Sequence, residues 1–125
     1  GLVDEKSKKF WGEDVDMDTL YLGVKNALRM RGVSAFAELI KANSDDAIEI
    51  LKERGIQADV LIIDGNHSPV QSVKDVNNYI PLLKSGGILF FDDADWRETQ
   101  NAVDLIFDTC DQAGMIQSMA KFIKR

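Results

Sequence analysis

Two apolar runs in this chain each end on acid. Val60-Leu61-Ile62-Ile63 leads into Asp64-Gly65-Asn66-His67, and Ile88-Leu89-Phe90-Phe91 leads into Asp92-Asp93. Runs of this length, closed by charge and glycine, read as strands buried on both faces. Their three carboxylates then sit at the carboxyl edge of a sheet, where open parallel sheets bind ligands. Carboxylates gathered at one place repel, and protonation, a basic side chain or a hard cation relieves the repulsion. No lysine or arginine lies close in sequence to either strand end until Arg97. An oxygen-ligated Mg2+ or Ca2+ on Asp64, Asp92 and Asp93 is therefore one reading. In the other, one aspartate caps the following helix and the rest are solvated.

His67 is the chain's single histidine. It is either a loop residue bonded to nearby backbone or a general base beside a metal, for which its ordinary pKa is suited. Gly65 permits a tight turn that would bring it back over the strand end. Asp14 closes an expected first strand, where an acid can accept from ribose hydroxyls. It stands beside Glu13 and Asp16, so a solvated loop acid is the alternative. Ser44 reads as a helix cap. Trp96 either walls a pocket or covers the sheet edge, and Cys110 reads as core packing.

The elements that must position these groups alternate strand and helix, which predicts a parallel sheet with helices on both faces. A short strand is expected over residues 9–13. Asp16 or Asp18 then caps a helix to about Arg31 whose inward face carries Leu20, Val24, Ala27 and Leu28, and Gly32 stops it. Residues 35–42 read as a second strand. Ser44 caps the next helix, with Asp45 and Asp46 in its first turn, a stripe of Ala47, Ile48 and Leu51, and a stop at Gly55. The strand over residues 60–64 follows, then a helix over 70–79 with Val73 and Val76 inward. Pro81 opens a turn, and Gly86-Gly87 leads into the strand ending at Phe91. A last helix is expected over 98–113 with Ala102, Val103, Ile106, Cys110 and Ala113 on its core face. The tail, 116–125, reads as one more strand.

The chain has 125 residues, 45% of them hydrophobic and 29% charged, with a net charge of −6. That is the size of one domain. The negative balance argues against nucleic acid or an anionic membrane as general partner. No run approaches a membrane span and no signal-peptide pattern opens the chain, so a cytoplasmic location is expected. A single cysteine fits a reducing compartment.

The ordered set Phe10-Trp11-Gly12-Glu13-Asp14-Val15-Asp16, Leu39-Ile40-Lys41-Ala42-Asn43-Ser44 and the stretch 61–93 resembles the Rossmann-like S-adenosylmethionine-dependent methyltransferases. Leu61-Ile62-Ile63-Asp64-Gly65-Asn66-His67-Ser68, Pro81-Leu82-Leu83-Lys84-Ser85-Gly86-Gly87 and Phe91-Asp92-Asp93 are similar to the metal-dependent small-molecule O-methyltransferases among them. The resemblance spans about residues 9–111. It implies a three-layer, mostly parallel sheet, with Asp14 holding the cofactor ribose and Asn43 and Ser44 near the adenine. It further implies Mg2+ on Asp64, Asp92 and Asp93, His67 as base, and a small-molecule or sugar hydroxyl as acceptor.

Such proteins begin with a strand and a glycine-rich loop, and nothing before Lys9 reads as that pair. The expectation is one partial domain over 1–125, truncated at its N-terminus, its sheet completed by an upstream segment or by a second copy. A non-catalytic scaffold or subunit of the same fold is the alternative function. A receiver-like phosphate-handling fold ranks last, because its acid pair belongs on the first strand.

Overall fold

The computed structural model describes residues 17–65 and 68–125. In chain order these hold α1 (Met17–Met30), α2 (Ser44–Glu53), β1 (Ala58–Ile63), α3 (Pro69–Tyr79), β2 (Leu83–Phe91), α4 (Gln100–Phe107), β3 (Cys110–Ile116) and β4 (Met119–Lys124). The chain divides into two compact units, one ending at Asn43 and the other running Ser44–Arg125. No described helix is long and apolar enough to cross a membrane. The expected strand over 9–13 lies outside the described residues.

In the first unit, α1 forms where the apolar period predicted it, and Gly32 turns its end with φ +70. Its apolar stripe is not core, however, since Leu20 is 51% and Val24 47% exposed. Residues 35–42 are not a strand. The segment is irregular, with Ala42 N–H folded back onto the Ile40 carbonyl at 3.0 Å.

In the second unit, α2 ends where Gly55 adopts φ +65, and it buries Ile48. Four strands form a sheet in the order β1-β2-β4-β3. The β1–β2 pair is parallel, but β2–β4 and β3–β4 are antiparallel. The expected mostly parallel sheet is thus a mixed one. The cause is the tail, which forms two strands joined by Gln117 and Ser118. A two-residue link admits only antiparallel pairing, and Gln117 supplies the left-handed turn with φ 55.

The core forms on one face of this sheet. Ile63, Leu89, Phe91, Ala120 and Phe122 meet Val76 of α3 and Ala102 and Ile106 of α4. On the opposite face Val60 is 52%, Ile62 61% and Ile123 41% exposed. The expectation of strands buried on both faces therefore holds for one face only.

The last helix is shorter than expected and stops at Phe107. Arg125 donates from Nη2 to the Phe107 and Asp108 carbonyls at 3.1 and 2.8 Å, capping that end from the far terminus. Cys110 is buried as expected, but on β3.

Candidate functional site

The carboxyl ends of β1 and β2 lie side by side. Their register pairs Ile63 with Phe91, and the next amide, Asp92 N–H, donates to the Ile63 carbonyl at 3.1 Å. Asp64 and Asp92 consequently leave the sheet as neighbours, Asp64 exposed and Asp92 half-buried. The β3–β4 turn reaches over the second acid. Ser118 Oγ donates to Asp92 Oδ1 at 3.2 Å, and the Ser118 carbonyl accepts from Ala94 N–H at 3.1 Å.

Asp93 bends the chain with φ 51, a left-handed conformation that aspartate tolerates better than most residues. Its carbonyl accepts from Trp96 N–H at 3.1 Å and from Thr99 Oγ1 at 2.7 Å. Gln100 Nε2 ties the same loop by donating to the Ala94 and Trp96 carbonyls at 2.9 and 2.7 Å. Trp96 is half-buried on this strapped loop.

The structure thus brings Asp64 and Asp92 together and gives Asp93 a turn to form. Among the described residues no three His, Cys, Asp or Glu side chains form a group that could hold a metal ion. The acid trio is therefore not a preassembled cage. Two neighbouring carboxylates still fit Mg2+, which keeps several waters and takes only one or two protein carboxylates. His67 and Asp14 lie outside the described residues.

Ser44 is the first residue of α2, at the centre of a polar cluster that sequence reading missed. Gln71 Nε2 donates to Ser44 Oγ at 3.0 Å, Asp45 Oδ1 at 3.2 Å and Asp75 Oδ1 at 2.9 Å. Tyr79 OH donates to the Ser44 carbonyl at 2.6 Å. Burial first, then the Asp75 and Asp45 carboxylates, push the Tyr79 phenol above its ordinary value.

Asp75 is only 5% exposed. A Cβ added to Gly65 would lie 3.1 Å from Asp75 Oδ2, so the residue after Asp64 packs directly on this carboxylate. The signal was present in the sequence. Gln71 and Asp75 stand four apart on one helix face, the spacing at which such pairs bond, and Asp75 falls between the inward Val73 and Val76.

Ser68 caps α3 by accepting from Gln71 N–H at 3.1 Å, and Pro69 takes the first helical position. The helix therefore starts one residue before the expected Val70.

In the unit ending at Asn43, a cavity of about 400 Å³ is lined by Leu20, Tyr21, Val24, Leu39, Ile40, Lys41, Ala42 and Asn43. Lys41 pairs with Asp18 and holds its Nζ 5.6 Å from the Tyr21 ring centre. Asn43 is thus part of an apolar cavity wall with one cationic edge.

Over residues 4–94 the sequence matches a family described as a methyltransferase domain. The match takes in Asp14, Asn43, Ser44, Asp64, His67, Asp92 and Asp93, and it ends before α4 and the β3–β4 hairpin. No curated protein matches the chain at a significant level.

Proposed function

We propose, since the chain belongs to the methyltransferase-domain family, that its general chemistry of methyl transfer from S-adenosylmethionine is here metal-assisted O-methylation of a small-molecule or sugar hydroxyl. The observation that carries this reading is the adjacency of Asp64 and Asp92 at two parallel strand ends. Two carboxylates at neighbouring strand ends can share one divalent cation, and that cation can in turn hold an acceptor hydroxyl.

In this reading Asp64 and Asp92 bind the divalent cation and orient the acceptor, with Asp93 holding the loop that presents Asp92 and completing the acidic set. A bound Mg2+ supplies Lewis acidity, which lowers the pKa of a hydroxyl in contact with it. His67 takes that hydroxyl's proton. S-adenosylmethionine held beside it would supply an electrophilic methyl group for the deprotonated oxygen. Asp14 holds the ribose hydroxyls, and Asn43 and Ser44 approach the adenine.

The test is calorimetric titration of S-adenosylhomocysteine and of Mg2+ into the wild-type chain and into D64N and D92N. Wild type is expected to bind both. Each aspartate variant should lose Mg2+ affinity at least tenfold while keeping the nucleoside. No heat and no thermal shift with either ligand would sink the proposal.

A further inference from the structure

We infer that Asp75 is a positioning residue for Asp64: its buried carboxylate is the stop against which the turn that presents Asp64 is set. The inference rests on the reading above that Asp64 binds the divalent cation. Its own basis is the close approach of one buried carboxylate to one glycine.

A turn needs glycine either for its backbone freedom or for the room that a missing side chain leaves. Positive φ occurs at Gly32, Gly55, Gly86 and Gly114, but not at Gly65. The chain therefore leaves Asp64 through a φ that other residues can adopt. What excludes a side chain at Gly65 is space. A Cβ there would lie 3.1 Å from Asp75 Oδ2, closer than comfortable van der Waals contact.

Asp75 is 5% exposed, on α3 beside the buried Val76. A carboxylate is costly to bury unless it is hydrogen-bonded. Gln71 Nε2, four residues earlier on the same helix, donates to Asp75 Oδ1 at 2.9 Å. One oxygen is thereby anchored, and the other bears on the residue next to Asp64. On the other side of Asp64, the Ile63 carbonyl accepts from Asp92 N–H at 3.1 Å. Asp64 is thus held from both sides, by the strand pair before it and by Asp75 after it. A metal ligand set in place beforehand binds more tightly than one that must be ordered on binding.

The experiment is calorimetric titration of Mg2+ into the full chain, with melting temperatures recorded. The proteins are wild type, Asp75→Ala, Asp75→Asn, Gly65→Ala, the double variant G65A/D75A, and Ile106→Ala. D75A should weaken Mg2+ about tenfold or more, the range seen when a group supporting a metal ligand is lost. D75N keeps the size and still accepts from Gln71, so it should stay within about threefold of wild type. G65A should weaken Mg2+ as well. The double variant should be within about twofold of D75A, because removing the carboxylate frees the space for the added methyl. I106A empties a fully buried position on α4, and it should lower the melting temperature while keeping the wild-type Mg2+ affinity. Without metal, hydrogen exchange at Asp64 and Gly65 should be faster in D75A than in D75N.

Equal Mg2+ losses in D75A and I106A would mean lost stability alone and would overturn the inference. D75N as weak as D75A would overturn it too, as would losses that multiply in the double variant. Where D75A does not fold, G65A carries the test, and a wild-type Mg2+ affinity in it overturns the inference. A wild-type chain that binds no Mg2+ overturns the metal reading, and this inference with it. Wild-type binding that D75A leaves unchanged overturns the inference alone.

Discussion

Tyr79 couples the polar cluster to pH. Its phenol donates to the Ser44 carbonyl at 2.6 Å, and burial together with the Asp75 and Asp45 carboxylates holds its pKa above the ordinary value. A folded-state pKa above the unfolded one means that the folded chain keeps the proton longer. The stability this contributes is whole below about pH 10 and is lost as pH rises through the folded value. Urea unfolding at about pH 9 and about pH 11 should therefore show a steeper alkaline loss in wild type than in Tyr79→Phe. The variant itself should cost about 1 kcal/mol near neutrality, through the lost bond. Equal alkaline slopes would remove Tyr79 as the cause.

Thr99 is the second residue whose hydroxyl matters, fully buried and donating to the Asp93 and Trp96 carbonyls. Thr99→Val keeps the shape but removes one of the donors to each of those carbonyls, leaving Trp96 N–H on the first and Thr99 N–H and Gln100 Nε2 on the second. It should cost about 0.5–1.5 kcal/mol by chemical denaturation, and it should weaken Mg2+ binding where the loop presents Asp92.

Among the elements, the start of β2 is the tightest place in the fold. A Cβ on Gly87 would lie 2.6 Å from Leu83 Cδ1, 2.8 Å from the Lys84 carbonyl and 3.0 Å from the Asp59 carbonyl. Two of these are backbone atoms of the paired strands, so the strain cannot be relieved by a rotamer change. Gly87→Ala should destabilise by about 1–3 kcal/mol, read as a lower urea midpoint with an unchanged slope.

Helices and the parallel pair were legible because their signals are local. Gly32 and Gly55 mark helix ends by their own chemistry, and the two apolar runs pair as neighbours around one crossover helix. Ser44, expected as a cap, is instead the first residue of α2, its hydroxyl accepting from Gln71. The errors fall where distant parts decide. Ala102, Ile106 and Cys110 fit a helical period, yet Arg125 caps the helix at Phe107 and Cys110 packs from a strand. Residues 35–42 look strand-like in composition, but among the described residues no strand pairs with them. At the site, Asp64 and Asp92 were readable from their strand ends. Ser118, Gln71 and Asp75 were not singled out, because their roles arise from side chains that meet only on folding.

At the scale of the molecule, every fully buried apolar side chain among the described residues lies in the unit Ser44–Arg125. A polypeptide of residues 44–125 should therefore melt cooperatively by circular dichroism. Leu89→Ala within it should cost about 2–5 kcal/mol, since Leu89 is fully buried between the paired strands. A gradual, non-cooperative melt would show that the first unit is needed for the core to form.

One edge of that unit has a further consequence. Among the described residues the order β1-β2-β4-β3 leaves β1 outermost. Its exposed residues are Val60, Ile62 and Asp59, and the Asp59 charge is matched by Lys84 Nζ at 3.0 Å. The far edge, β3, is blunted by a register break near Gly114 and by Asp111 held to Arg125, whereas β1 has no proline and no uncompensated charge. Such an edge is a template for stray strands. It sets a ceiling on how concentrated the protein can be kept before it clouds, and Ile62→Lys should raise that ceiling while shifting the melting midpoint little, because the side chain it replaces is already in water.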